Sequence, residues 1–170
     1  MMNNFFALFE LPVAFDVDKT ALKNRYLALQ KQHHPDNHGG DDSQSTLINH
    51  AFETINRDDK RALYLLDLQG HDINLTESIS DLEFLGEMME IRIDLDDCTS
   101  KAELAPLEQS VQTLISAHSD DFRQEFIAQN WTNAKLAAQK LHFLGKLYDD
   151  VLSKASEFVS HNDGDDDLYV

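Results

Sequence analysis

The chain has 170 residues, with 14 Lys and Arg against 31 Asp and Glu, a formal net charge of −17. That acidity argues against a protein that wraps nucleic acid, because neutralising phosphates takes a basic face. One cysteine, Cys98, excludes a disulfide scaffold, a cysteine zinc site and a cysteine-ligated iron–sulfur cluster held within one chain.

Apolar residues make up 42% of the sequence, enough for a core, and three prolines and six glycines leave room for long helices. The first ten residues have a short apolar run without a basic segment or a cleavage site, and no stretch approaches the ~20 apolar residues of a membrane span. A cytoplasmic protein of a bacterium is the expectation.

Charge is uneven along the chain. Residues 1–70 carry 7 basic and 10 acidic side chains, and residues 71–170 carry 7 and 21. Lys19, Lys23, Arg25 and Lys31 form the only sizeable positive island, with no acid among positions 19–31.

Apolar spacing predicts helices in succession. Asp18 can cap a helix over 19–32 with the core stripe Leu22, Tyr26 and Leu29, and Pro35 stops it. A polar loop from His33 to about Asp42 follows. The next helix runs from about Ser43 to Asn56, with Leu47, Ala51 and Ile55 at four-residue steps. A shorter helix, about Asp59 to Gln69, ends at Gly70, a natural left-handed stop.

Residues 73–79 read as a linker. The capping pattern Ser80-Asp81-Leu82-Glu83 opens a helix to about Asp97. A second such pattern begins at Ser100, with Pro106 close behind, so that regular helix starts there, starts nearer Glu103, or is kinked. Its stripe runs Leu104, Leu107, Val111, Leu114, His118, Phe122 and Phe126. After a turn at Gln129-Asn130 the last helix covers about Trp131 to Val159, with the stripe Ala137, Leu141, Leu144, Tyr148, Val151 and Ala155. The expected organisation is all-α: a small helical domain over 1–72, a three-helix bundle over 80–160, and a disordered acidic tail over 161–170.

The helix from Asp81 to Asp97 is apolar on two sides. At ~100° per residue, Leu82, Leu85, Met89 and Ile93 form one stripe, and Phe84, Met88, Ile91 and Leu95 form another roughly opposite. A bundle helix normally buries one stripe, so the second is expected to face a partner, a second copy, or further core.

The densest polar motif is His33-His34-Pro35-Asp36-Asn37-His38. Three histidines allow a metal-site reading, but a proline-interrupted loop does not by itself converge ligands. No Ser or Cys nucleophile context and no glycine-rich phosphate loop follows a strand, so catalysis is not expected.

A basic helix, then His34-Pro35-Asp36, then a helix with Ile48-Asn49-His50-Ala51-Phe52 resembles a J-domain. Phe5 to Pro12 resembles its first helix and exit turn. Arg61 to Leu66, Phe84-Leu85 and Lys140 to Leu144 resemble the HscB-type branch, the co-chaperones of iron–sulfur cluster assembly. The resemblance spans residues 4–159.

It implies an L-shaped J-domain and three-helix bundle, with no catalysis and no cofactor of its own. It also implies that His34, Pro35 and Asp36, with Lys23, Arg25 and Lys31, meet the ATPase domain of a DnaK-type, HscA-like chaperone. The cluster-scaffold protein, IscU-like, would meet Leu85, Met89, Glu90, Ile93, Asp97 and Phe143, with Phe143 as the expected hot spot. A monomer is the expected state.

The sequence departs from the family pattern at four of these places. His33 and Asn37 flank the tripeptide where Tyr and Lys are usual, Gly86 replaces an apolar residue, and Ile93 replaces an acid. Three alternatives stand beside this reading: a general J-domain protein with other clients, a metal-binding protein using His33, His34 and His38, and a homodimeric structural protein.

Overall fold

A computed structural model describes residues 4–33, 42–75 and 79–162, the side chains of 42 and 160–162 excepted. Seven helices are present among them: α1 (Phe5–Leu8), α2 (Lys19–Gln32), α3 (Asp42–Asn56), α4 (Asp58–Leu68), α5 (Leu82–Asp97), α6 (Lys101–Ile127) and α7 (Trp131–Asn162). The described residues contain no strand, and the all-α class expected from the spacing holds.

Most helix ends sit where the local chemistry predicts. Asp18 caps α2 by accepting from Thr20 N and Ala21 N, both at 2.9 Å. Gly70, at φ +74°, ends α4, and Gln129, at φ 56°, turns α6 into α7. The cap of α5 is Asp81 rather than Ser80: Asp81 Oδ1 accepts from Phe84 N at 3.0 Å while its other oxygen accepts from Lys140. Regular α6 begins at Lys101, capped by Ser100, and runs through Pro106. Pro106 stands sixth in the helix, so it forfeits the one backbone bond that an N–H there would give to Ala102 O.

The N-terminal unit, α1 to α4, closes around Phe6, Phe9, Leu22, Ile48, Ala51, Ile55, Ala62, Leu65 and Leu66, all essentially inaccessible. Aromatic rings stitch it: Tyr26 stacks on Phe52 at 4.0 Å, and Tyr64 stacks on Phe5 at 4.7 Å while accepting a hydrogen bond from Phe5 N. On α3 the inward residue is Ile48 and not Leu47, which is exposed. Ile48, Ala51 and Ile55 follow the i, i+3, i+7 face of a 3.6-residue helix more closely than a strict four-residue step does.

The second unit is built on the long antiparallel pair α6 and α7. At ~1.5 Å per residue the 32 residues of α7 span about 48 Å, so this helix serves two cores. Ala134, Ala137, Ala138 and Leu141, with Phe122 of α6, join the N-terminal core. Leu144, Leu147 and Val151, with Leu104 and Val111, form a second core against Phe84, Met88, Ile91 and Leu95 of α5. Leu147, outside the stripe read from the spacing, is fully buried, while Tyr148, within it, is half-buried. Its hydroxyl needs polar partners and finds Gln112 Nε2 at 2.8 Å and Glu108 Oε1 at 3.2 Å.

The segment read as a linker is anchored at both ends. Before it, His71 stacks on Trp131 at 4.3 Å. Ile73 packs on the first core and Ile79 on the second. Residues 76–78, and the tail from 163 onward, lie outside the described residues.

Candidate functional site

Two surfaces carry the residues singled out from the sequence, and they lie on different units. The first is α2. With Leu22 buried and Tyr26 and Leu29 packed inward, Lys19, Lys23, Arg25 and Lys31 are left on exposed positions. Arg25 pairs with Glu10, and Lys19 Nζ lies 3.4 Å from Asp58 Oδ1. His33 ends α2 as its C-cap. His34, Pro35, Asp36, Asn37 and His38 lie outside the described residues, so the tripeptide and two of the three histidines of the metal alternative are not placed.

The second surface is α5. Its buried stripe is Phe84, Met88, Ile91 and Leu95, and the opposite one is open: Leu82 is 82%, Met89 66% and Ile93 51% accessible. Glu90 and Asp97 are exposed beside it. Leu85 and Phe143 are only half-exposed, both packed on the second core, and Phe143 meets the Phe84 ring edge-on at 6.0 Å. Phe143 is therefore a partly sunken shoulder of this surface rather than a protruding knob. Leu82 extends the open stripe by a turn beyond the six residues implied by resemblance.

Two lysines of α7 hold α5 in place. Lys140 Nζ donates to Asp81 Oδ2 at 2.6 Å and lies over the Phe84 ring, 5.2 Å from its centroid. That hydrogen bond, helped by the Phe84 amide, holds the Asp81 carboxyl below its ordinary range. At the other end Lys154 Nζ donates to the carbonyls of Leu95 and of Asp96, the latter at 2.9 Å. A cation there also satisfies the carbonyl end of the helix dipole. The two ties set α5 running in the same direction as α7, with its open stripe turned away from the core. His118 sits edge-on to Phe84 at 5.5 Å, and burial pushes its pKa below the usual histidine value, with Lys140 acting in the same direction.

A third arrangement was not read from the sequence: a polar seal between the two units. Arg61 is 3% exposed, and donates to Phe15 O and Ile55 O, both at 2.6 Å, and to Asp58 Oδ1 at 2.7 Å. Asp58 in turn accepts from Ser119 Oγ of α6 at 3.1 Å. Burial would raise the Asp58 pKa, but Arg61, with Lys19 and Ser119, overcomes it and the net direction is down. Arg123 Nε donates to Asp16 Oδ1 at 2.7 Å.

These contacts, with Phe15 against Phe122 at 4.8 Å, join the loop before α2 and the start of α4 to α6. The charge run Arg57-Asp58-Asp59-Lys60-Arg61 was the available signal. In isolation it reads as a solvated face, and only the packing of α6 and α7 over it makes it an interface.

The fold is thus all-helical, a compact unit with a basic helix packed on a bundle whose α5 exposes Leu82, Met89 and Ile93. The sequence pattern of the family described as "HSCB C-terminal oligomerisation domain" matches residues 80–152. The co-chaperone protein HscB homolog of Acinetobacter baumannii is 38% identical over 171 residues, covering 97% of this chain and 99% of the relative. Co-chaperone protein HscB of Proteus mirabilis is 32% identical over 161 residues, covering 87% and 93%. Among solved structures, chaperone HscB from Vibrio cholerae superposes with a TM-score of 0.72 at 30% identity, covering 91% of this chain and 99% of that one. Human co-chaperone protein HscB gives 0.74 at 28% identity, covering 90% and 82%.

The chain belongs to the HscB family, the co-chaperones of iron–sulfur cluster assembly. Among the described residues no helix is long and apolar enough to cross a membrane.

Proposed function

We propose that this chain delivers an iron–sulfur cluster scaffold of the IscU type to a DnaK-type, HscA-like chaperone and accelerates that chaperone's ATP hydrolysis. The observation that carries the reading is the pair of surfaces on one body: a basic α2 and an α5 that leaves Leu82, Met89 and Ile93 exposed among the described residues. The basic surface, with His34, Pro35 and Asp36 beside it in sequence, suits an acidic face on the ATPase domain. Such an encounter is steered electrostatically and weakens with salt.

The open stripe suits the scaffold. Leu85, Met89, Ile93 and Phe143 supply apolar contact, and Glu90 and Asp97 supply charge at its rim. Leu82 adds contact area, and Met89, flexible and polarizable, is the most exposed of the four proposed apolar contacts. The cluster travels as cargo on the scaffold. Cys98, the C-cap of α5 and half-buried, is one thiol and cannot ligate it alone.

Calorimetric titration with scaffold separates the two surfaces. Met89→Ala and Phe143→Ala are expected to weaken scaffold binding by about 1–2 kcal/mol, the loss seen for interface hot spots, while His34→Gln leaves it unchanged. In a chaperone ATPase assay without scaffold the order reverses: His34→Gln loses stimulation, and the other two keep it. Equal scaffold affinity in all four proteins would overturn the assignment of α5.

A further inference from the structure

The only glycine inside α7, Gly145, lies where the N-terminal unit meets the bundle, and a glycine in a helix interior calls for a reason. Here the reason is steric. A Cβ at 145 would collide with Asp59 Oδ2, and would lie 2.6 Å from Asp59 Cγ and 3.0 Å from Arg57 Nη2. The stripe Ala134, Ala138, Leu141 and Gly145 lets α4 close onto α7, and the Asp59 carboxylate occupies the space a side chain would fill.

Asp59 is 7% exposed and is gripped by Arg57, Nε to Oδ1 at 2.9 Å and Nη2 to Oδ2 at 3.1 Å. The same guanidinium reaches across to α7, donating to Asp149 Oδ1 at 2.6 Å and to Gly145 O at 3.2 Å. One planar group therefore bonds a carboxylate of α4, a carboxylate of α7 and a backbone carbonyl of α7, a fixed fork that lysine cannot reproduce.

The geometry points to Arg57, Asp59, Gly145 and Asp149 as positioning residues that fix the angle between the chaperone-facing and cargo-facing units. None of the four belongs to either docking surface. Their effect acts through the placement of α5 relative to α2: a rigid joint holds bound cargo at a set distance from the ATPase, which raises its effective concentration there. A loose joint leaves each surface able to bind and removes the cooperation between them. The inference rests on the function proposed above.

The test uses the full chain, spin-labelled through Asn24→Cys and Ser153→Cys in a Cys98→Ser background. The parent is expected to give one narrow distance distribution, Asp149→Ala a broader one, and Gly145→Ala the broadest. In the unlabelled chain, Gly145→Ala should keep its scaffold affinity and its scaffold-free ATPase stimulation, while the extra acceleration brought by scaffold falls about tenfold. A distribution that stays narrow in both variants, or an unchanged gain from scaffold, would overturn the inference.

Should Gly145→Ala not fold, Asp149→Ala decides alone, since its side chain is half-exposed and enters neither core. A parent that does not stimulate the ATPase at all would instead sink the proposed function. The distance measurement would still judge the joint.

Discussion

Where α4 packs on the first half of α7, contact is made by small residues and Gly145 and sealed by Arg57; where α5 runs beside the second half, it is made by Phe84, Met88 and Phe143, with lysines at the ends and Arg92 paired with Asp150 between them. The first contact buries Ala134, Ala138, Leu141 and Gly145. The second leaves Leu82, Met89 and Ile93 exposed. Close approach through small side chains lets buried polar groups find partners across the joint, which makes it directional and costly to disturb. Packing through large side chains at the edge of the bundle keeps α5 attached by one face and leaves much of the other exposed.

The largest expected contrast is in stability. Phe122→Ala removes a fully buried ring shared by both units and is expected to cost about 3–5 kcal/mol. Arg61→Ala strips partners from two backbone carbonyls and from Asp58 and is expected to cost a similar amount, about 3–5 kcal/mol. Met89→Ala, on the open stripe, should stay within about 0.5 kcal/mol. Urea denaturation of the three variants measures this directly. A large loss for Met89→Ala would mean that the stripe is covered in the native protein, for instance by a second copy.

The two helix-interior glycines sharpen the same comparison at smaller scale. Gly86 of α5 has nothing within 4 Å of where a Cβ would stand, unlike Gly145. Gly86→Ala is expected to stabilise the fold by about 0.5–1 kcal/mol, the ordinary gain for an exposed helix, whereas Gly145→Ala should destabilise it. Melting temperatures moving in the same direction for both would break the contrast. The departure at Gly86 from the family pattern is thus a gap in a solvent-facing surface, with no packing demand behind it.

Much of this was legible in the sequence, for identifiable reasons. The two-sided apolar spacing of the α5 segment separated the stripe of Phe84, Met88, Ile91 and Leu95 from that of Leu82, Met89 and Ile93, because helical periodicity records which faces are apolar. Caps and stops such as Asp18 and Gly70 are local and were read locally. Which of the two stripes is buried is a tertiary fact, and so is the sinking of Phe143 beside Phe84.

The joint was hidden for the same reason. Arg57, Asp59 and Asp149 are ordinary surface residue types, the first two 92 and 90 positions from the third, and become a network only when α4 meets α7. Gly145 was the one local sign, a helix breaker inside a long helix, and its meaning depended on a carboxylate 86 positions away.

The most direct test of a two-surface adaptor is the ATP turnover of the DnaK-type chaperone, measured with this chain at low and at high salt, with and without scaffold. The account predicts acceleration by the chain alone, a further gain when scaffold is added, and loss of much of the effect as salt rises. No acceleration at low salt with scaffold present would contradict it.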